Sequence, residues 1–266
     1  KNALKGVGFF IGAALLAWLG YDEALWVMAG FVAVALVAIL IMLDGDIGKS
    51  KKQTPLRSIL SKSPAINRLA LARFFLFASR DIWFVVALPI FLEEELGWSF
   101  YGVGGFLAAW VIGYGIVQSS APRWMRRRSG EHVDEVAAAR HWSLALGVIT
   151  AVLATMVGLD VAVTVAVVGG LFVFGIAFAL NSSLHSYLIL AYADADEVSV
   201  DVGFYYSANA SGRLVGTLLS GVLYLWGGLP IALWGSAAFI GITWLLTLRL
   251  PAIADETQPT EELRAS

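Results

Sequence analysis

Arg80 and Asp81 sit side by side near the middle of an apolar stretch, NRLALARFFLFASRDIWFVVALPIFLEEE (residues 67–95), which is long enough to cross a bilayer as a helix. An ion at that depth costs at least about 2.5 kcal/mol unless it faces protein or water. Two readings follow: a structural ion pair between helices, or an arginine that binds an anion at the midplane of a solute pathway. The second reading has a chemical motive, since a guanidinium presents a planar fork that fits carboxylate, phosphate and related oxyanions. Arg213 repeats the pattern, close to the middle of VGFYYSANASGRLVGTLLSGVLYLW (202–226). At four-residue spacing it shares a helix face with Tyr205, Asn209 and Thr217. Arg80, Asp81, Tyr205, Asn209 and Arg213 therefore form the candidate substrate-binding set. Asp81 lies about 100° round the helix from Arg80. It is expected to pair with a group on another helix, or to titrate as a proton-coupling acid.

Other polar residues are weighed against plainer roles. Arg73, one heptad before Arg80, is expected to snorkel to the interface. Asn181, Ser182, Ser183, His185 and Tyr187 could line an entry vestibule or simply lie at the interface, with His185 a possible proton-linked group. Ala208, Gly212, Gly216 and Ser220 recur every four residues, a small-residue ridge of the kind that lets helices pack closely in lipid. Most of the tryptophans, Trp83, Trp98, Trp110, Trp226 and Trp234 among them, read as interface anchors or core. Enzyme signals fail. GDIGKS (45–50) lacks the first glycine of a phosphate-binding loop, because position 43 is leucine. His132, His141 and His185 have no metal-ligand spacing, and no GxSxG nucleophile elbow is present. No catalytic residue, cofactor, metal or nucleic-acid partner is expected.

The elements that must hold these residues are membrane helices. Of 266 residues, 59% are hydrophobic and only 14% charged, against about 25% charged in a soluble domain. The mean hydropathy is +0.77. The fold class is all-α, a polytopic membrane protein with the lipid bilayer as its surroundings. Eight spans are expected, at about 6–21, 25–43, 67–92, 101–118, 142–159, 161–183, 202–226 and 230–248, the sixth continuing as helix toward 190. The longest polar segment, 44–67, carries Lys49, Lys51, Lys52, Arg57 and Lys62, and its Pro55 and Pro64 break any long helix. The turns at 22–23, 93–98, 160 and 227–229 contain no Lys or Arg. Loops 44–67 and 121–140 are basic, so they and both ends of the chain are expected to be cytoplasmic; the acidic loop 194–201 is the exception to the alternation. One long linker among short hairpins suggests six-helix halves. Residues 1–43 would then be the last two helices of one half, 44–67 a basic cytoplasmic linker, 68–250 a complete second half and 251–266 a polar tail. The start KNALKG, without an initiator Met, also reads as a fragment, with four helices expected ahead of it.

Six-helix halves, a basic central loop and the basic run SAPRWMRRRSG (120–130) resemble the major facilitator superfamily. That run occupies the place of the superfamily's arginine-rich cytoplasmic loop motif, although its Asp and leading Gly are absent. More specifically, KNALKGVGFF (1–10), RFFLFASRDIWFVVALPIFL (73–92) and GWSFYGVGGFLAAWVIGYGIVQ (97–118) resemble the ArsJ-type organoarsenical efflux permeases. The resemblance extends over most of the chain. It implies a transporter of a bacterial inner membrane that exports 1-arseno-3-phosphoglycerate and so confers arsenate resistance. That solute forms when glyceraldehyde-3-phosphate dehydrogenase uses arsenate in place of phosphate, which makes the dehydrogenase a functional partner. The chain has no cysteine. This suits a pentavalent oxyanion ester, whereas trivalent arsenic is soft and seeks thiolates. A permease for a sugar, a drug or another organic anion is the alternative.

Overall fold

The computed structural model describes residues 2–42, 63–127, 134–193 and 198–253, and every regular element among them is helical. In order they are α1 (Asn2–Leu19), α2 (Tyr21–Met42), α3 (Pro64–Phe84), α4 (Ala87–Glu94), α5 (Phe100–Arg127), α6 (Glu135–Gly158), α7 (Val163–Val165), a π-helical turn at Ala166–Gly170, α8 (Leu171–Tyr192) and α9 (Val198–Thr247). Most of the basic linker, the end of the basic run, His132 and most of the tail lie outside the described residues.

Local chemistry sets the boundaries. Ser63 is extended and Pro64 opens α3, since a proline in the first turn gives up no needed N–H. The α3–α4 break falls at Val85–Val86, four residues before Pro89, whose ring would clash with the carbonyl of Val85. The N–H groups of Val86 and Ala87 donate instead to Ser220 Oγ at 3.3 and 3.1 Å. After α4, Gly97 takes φ +66° and closes the turn into α5. Asp134 caps α6 by accepting from the N–H of Ala137 at 2.9 Å.

Six helices are long and apolar enough to cross a membrane, so the chain is a multi-pass helical membrane protein. Each of the eight expected spans corresponds to a helix or a helix arm among the described residues. The expected seventh and eighth spans are the two arms of α9, which departs from helical backbone at Gly227 and Gly228 where the turn was expected, and the expected first span is a shorter apolar helix, Gly6–Leu19. Gly228 (φ 66°, ψ −161°) supplies a backbone conformation that essentially only glycine adopts, and α9 folds back on itself there. A Cβ placed on Gly235 would meet Leu223 of the other arm. α3 lies along α9 more extensively than along any other element, α1 packs on α5, and α6 packs on both α8 and α9.

The apolar interior is divided in two. A large cluster holds Trp83, Trp110, Phe174 and Phe178, and a smaller one, at the basic-loop end, holds Ile66, Leu69, Leu184 and Leu188. Between them, buried polar side chains from α3 and α8 interrupt the core: Arg73, Asn181, Ser182 and His185.

Candidate functional site

α3 and the first arm of α9 run in parallel along the small-residue ridge. A Cβ on Gly212 would strike the carbonyl of Phe74, and one on Gly216 would strike the backbone of Ala78. The ridge is a packing surface, as its spacing implies. That close approach brings Arg213 beside Asp81.

Asp81 is fully buried and holds two guanidiniums. Arg80 donates to its Oδ1 from Nε at 2.7 Å and again from Nη2. Arg213 Nε donates to its Oδ2 at 2.9 Å. Pairing with another helix is as expected for Asp81; pairing with its own neighbour is not. The 100° separation on the helix is overcome by the length of the arginine stem, which bends back over the phenylalanine rings. The Arg80 guanidinium lies 5.4 Å from the ring of Phe77 and 5.6 Å from that of Phe178, within cation–π range. One carboxylate against two guanidiniums leaves one positive charge in excess. Of the five N–H donors of Arg213, only that on Nε is engaged by Asp81, and its side chain is 44% exposed.

The triad forms part of the wall of a cavity of about 860 Å³. Phe9 and Leu16 of α1, Phe84 of α3, Pro89 and Glu93 of α4, and Leu107, Trp110 and Tyr114 of α5 line the rest. The wall reaches from Tyr114 to Gly20, Tyr21 and Phe100, at the end of the bundle that carries the nonbasic turns. Apart from Glu93 of α4, the charged lining is the triad, set in a largely aromatic and aliphatic space. Such a cavity can take a solute with an anionic head and can shield the head from water, where the guanidinium contacts gain strength.

Not every candidate reaches it. Tyr205 is fully buried with its ring 5.0 Å from the Arg73 guanidinium, and Asn209 is partly buried; neither lines the cavity. Eight residues of helix separate Tyr205 from Arg213 by about 12 Å, so one face serves two levels. Asn181 and His185 line no vestibule here, because both are fully buried in the helix packing; Asn181 Nδ2 donates to Ser143 Oγ of α6 at 2.9 Å. Tyr187 is on the surface. Arg73 does not snorkel: it is 3% exposed, and its Nη1 donates to the carbonyl and hydroxyl of Ser182 at 2.9 and 3.0 Å. Its stem is drawn inward because Phe77 and Tyr205 offer ring faces and Ser182 offers acceptors. The seven-residue interval from Arg73 to Arg80, two turns on one face, was the signal for this.

Basic residues at the other end have structural work. Arg140 donates to the carbonyls of Thr247 and Leu250, and Arg68 to that of Arg249, closing the end of α9.

No family model matches the chain, and no curated protein matches it. Among solved structures, it is similar to one described as a bacterial homologue of the iron transporter ferroportin in an inward-facing state, with a TM-score of 0.64 and 17% identity over 91% of this chain. The likeness is one of fold alone, an all-helical arrangement shared over most of this chain. The chain spans 58% of the length of that structure.

Proposed function

We propose that this chain is part of a secondary membrane transporter for a small organic anion, held between Arg80 and Arg213. The observation that carries the reading is the pair of guanidiniums sharing the single carboxylate of Asp81 at the wall of the cavity. An incoming oxyanion competes with that carboxylate for the guanidinium donors, and the one positive charge in excess within the triad favours it. Alternating access then moves the bound anion across the bilayer, with both ends of the chain on the cytoplasmic side. The transported anion is 1-arseno-3-phosphoglycerate, exported to give arsenate resistance; residues 1–10, 73–92 and 97–118 support this through their resemblance to organoarsenical permeases.

The similar structure is named for iron, and the donor set here favours an anion instead. No group of three His, Cys, Asp or Glu side chains capable of holding a metal ion occurs among the described residues. The one carboxylate in the triad is flanked by two guanidiniums, which repel a cation. A second reading, a drug or other amphipathic organic anion, is favoured by the apolar walls at Phe9, Phe84, Leu107 and Trp110.

The test is arsenic retained by cells expressing the protein and challenged with arsenate or arsenite, with and without glyceraldehyde-3-phosphate dehydrogenase. Retention is expected to fall only with arsenate and the dehydrogenase together, and Arg213→Ala is expected to abolish the effect. Equal export of arsenite, or indifference to the dehydrogenase, refutes the organoarsenical assignment. A response that survives Arg213→Ala refutes the site.

A further inference from the structure

Arg73 carries a buried charge that no acidic side chain among the described residues neutralises. No acidic side chain among the described residues pairs with it, its contacts being the Ser182 carbonyl and hydroxyl and two aromatic rings. Its Nε has no hydrogen-bond partner. His185 lies one turn beyond Ser182 on α8, is fully buried, and has no partner for either ring nitrogen. A guanidinium and an imidazole with unmet N–H donors, enclosed without a carboxylate, match the needs of an oxyanion.

The position of this group relates it to the cavity. Arg73 and Arg80 are seven residues apart on one face of α3, about 10 Å along the axis. The ring of Phe77 lies between them, 4.0 Å from one guanidinium and 5.4 Å from the other. Phe77 packs on Phe178 and Phe178 on Tyr114, with centroids 5.2 and 5.7 Å apart. Tyr114 faces the cavity, and its hydroxyl is 3.4 Å from the Ser182 Oγ that Arg73 also contacts.

We propose that Arg73, His185 and Ser182 form a second oxyanion station, sealed from the Arg80/Arg213 cavity by the Phe77–Phe178–Tyr114 layer, and that the transported anion passes from one station to the other. The proposal rests on the anion reading above and extends it. In the conformation seen here the Phe77, Phe178 and Tyr114 rings pack on one another, and Arg73 Nη1 is held by the Ser182 carbonyl and hydroxyl while its Nε has no partner. Movement of the layer exposes the Arg73 donors to an anion held at Arg80, and Phe77 serves as a ring face for whichever guanidinium is unoccupied.

The experiment uses the purified protein, in detergent for equilibrium binding and in proteoliposomes for exchange, with radiolabelled 3-phosphoglycerate as the probe. Arg80→Gln is expected to lose both binding and exchange. Arg73→Met is expected to keep binding within about threefold while exchange falls at least tenfold. Removing an unpaired buried charge leaves thermal stability unchanged or raised, so a structural role alone predicts a folded Arg73→Met protein that transports normally. If the methionine variant does not fold, Arg73→Lys decides; it keeps charge and bulk but loses the fork, and the same tenfold loss of exchange is expected. Wild-type exchange by either folded variant, with Arg80→Gln inactive, overturns the second station and leaves the cavity reading standing. Binding and exchange that survive Arg80→Gln, or no exchange by the wild type, overturn the anion reading and the station with it.

Discussion

Asp81→Asn keeps the shape of the side chain and removes the charge that holds two guanidiniums together. Asp81 is fully buried, and its Arg80 partner is 12% exposed. Removing one partner of so enclosed a pair costs about 3–5 kcal/mol. The Arg213 arm is 44% exposed and faces the cavity, so solvent screening reduces its share to about 0–1 kcal/mol. The amide oxygen of asparagine still accepts a hydrogen bond and returns about 1 kcal/mol. The net loss is on the order of 2–5 kcal/mol, a fall in melting temperature of roughly 4–20 °C for a chain of this size. Melting is followed in detergent by tryptophan fluorescence, since Trp83 and Trp110 are buried within the bundle. Two rescues are expected. Combining Asp81→Asn with Arg80→Gln removes the stranded charge and recovers much of the loss. Adding 3-phosphoglycerate at about a hundred times its Kd supplies a replacement anion worth about 2.7 kcal/mol. A variant that melts with the wild type, or one that neither arm rescues, refutes the view that Asp81 is a resident anion holding an anion site.

Arg80→Lys keeps the charge but not the bidentate fork; transport by the protein, normalised to folded protein, is expected to fall at least tenfold with insertion intact, and a wild-type rate refutes a binding role. Gly212→Val forces a side chain against the carbonyl of Phe74; overpacking of about 1–3 kcal/mol or more is expected, seen as a lower yield of monodisperse protein. Gly221→Ala on the same helix meets nothing within 4 Å and is expected to be neutral or slightly stabilising. Ser220→Ala removes the acceptor for the N–H groups of Val86 and Ala87 at the α3–α4 break. A loss of about 1–3 kcal/mol in thermal stability is expected, and an unchanged melting curve shows that another acceptor takes its place.

Membrane helices were legible in the sequence because hydropathy is a local property. Long apolar runs separated by charged or glycine-containing turns admit few other structures in a bilayer. The small-residue ridge was legible for the same kind of reason: a four-residue recurrence survives as one helix stripe whatever packs against it, and Gly212 and Gly216 meet α3 along that stripe. That Arg80, Asp81 and Arg213 would need partners could be inferred from depth alone, since ions at mid-span are costly unpaired. Which partner each takes was a tertiary matter. The Arg80–Asp81 contact depends on how a long side chain bends under neighbouring rings, and sequence separation around a helix does not encode that. The fate of Arg73 was likewise decided by α8 and α9, whose Ser182 acceptors and Tyr205 ring lie more than a hundred residues away. Helical periodicity places a residue on a face; only the packed neighbours decide whether that face meets lipid, a cavity or another buried charge.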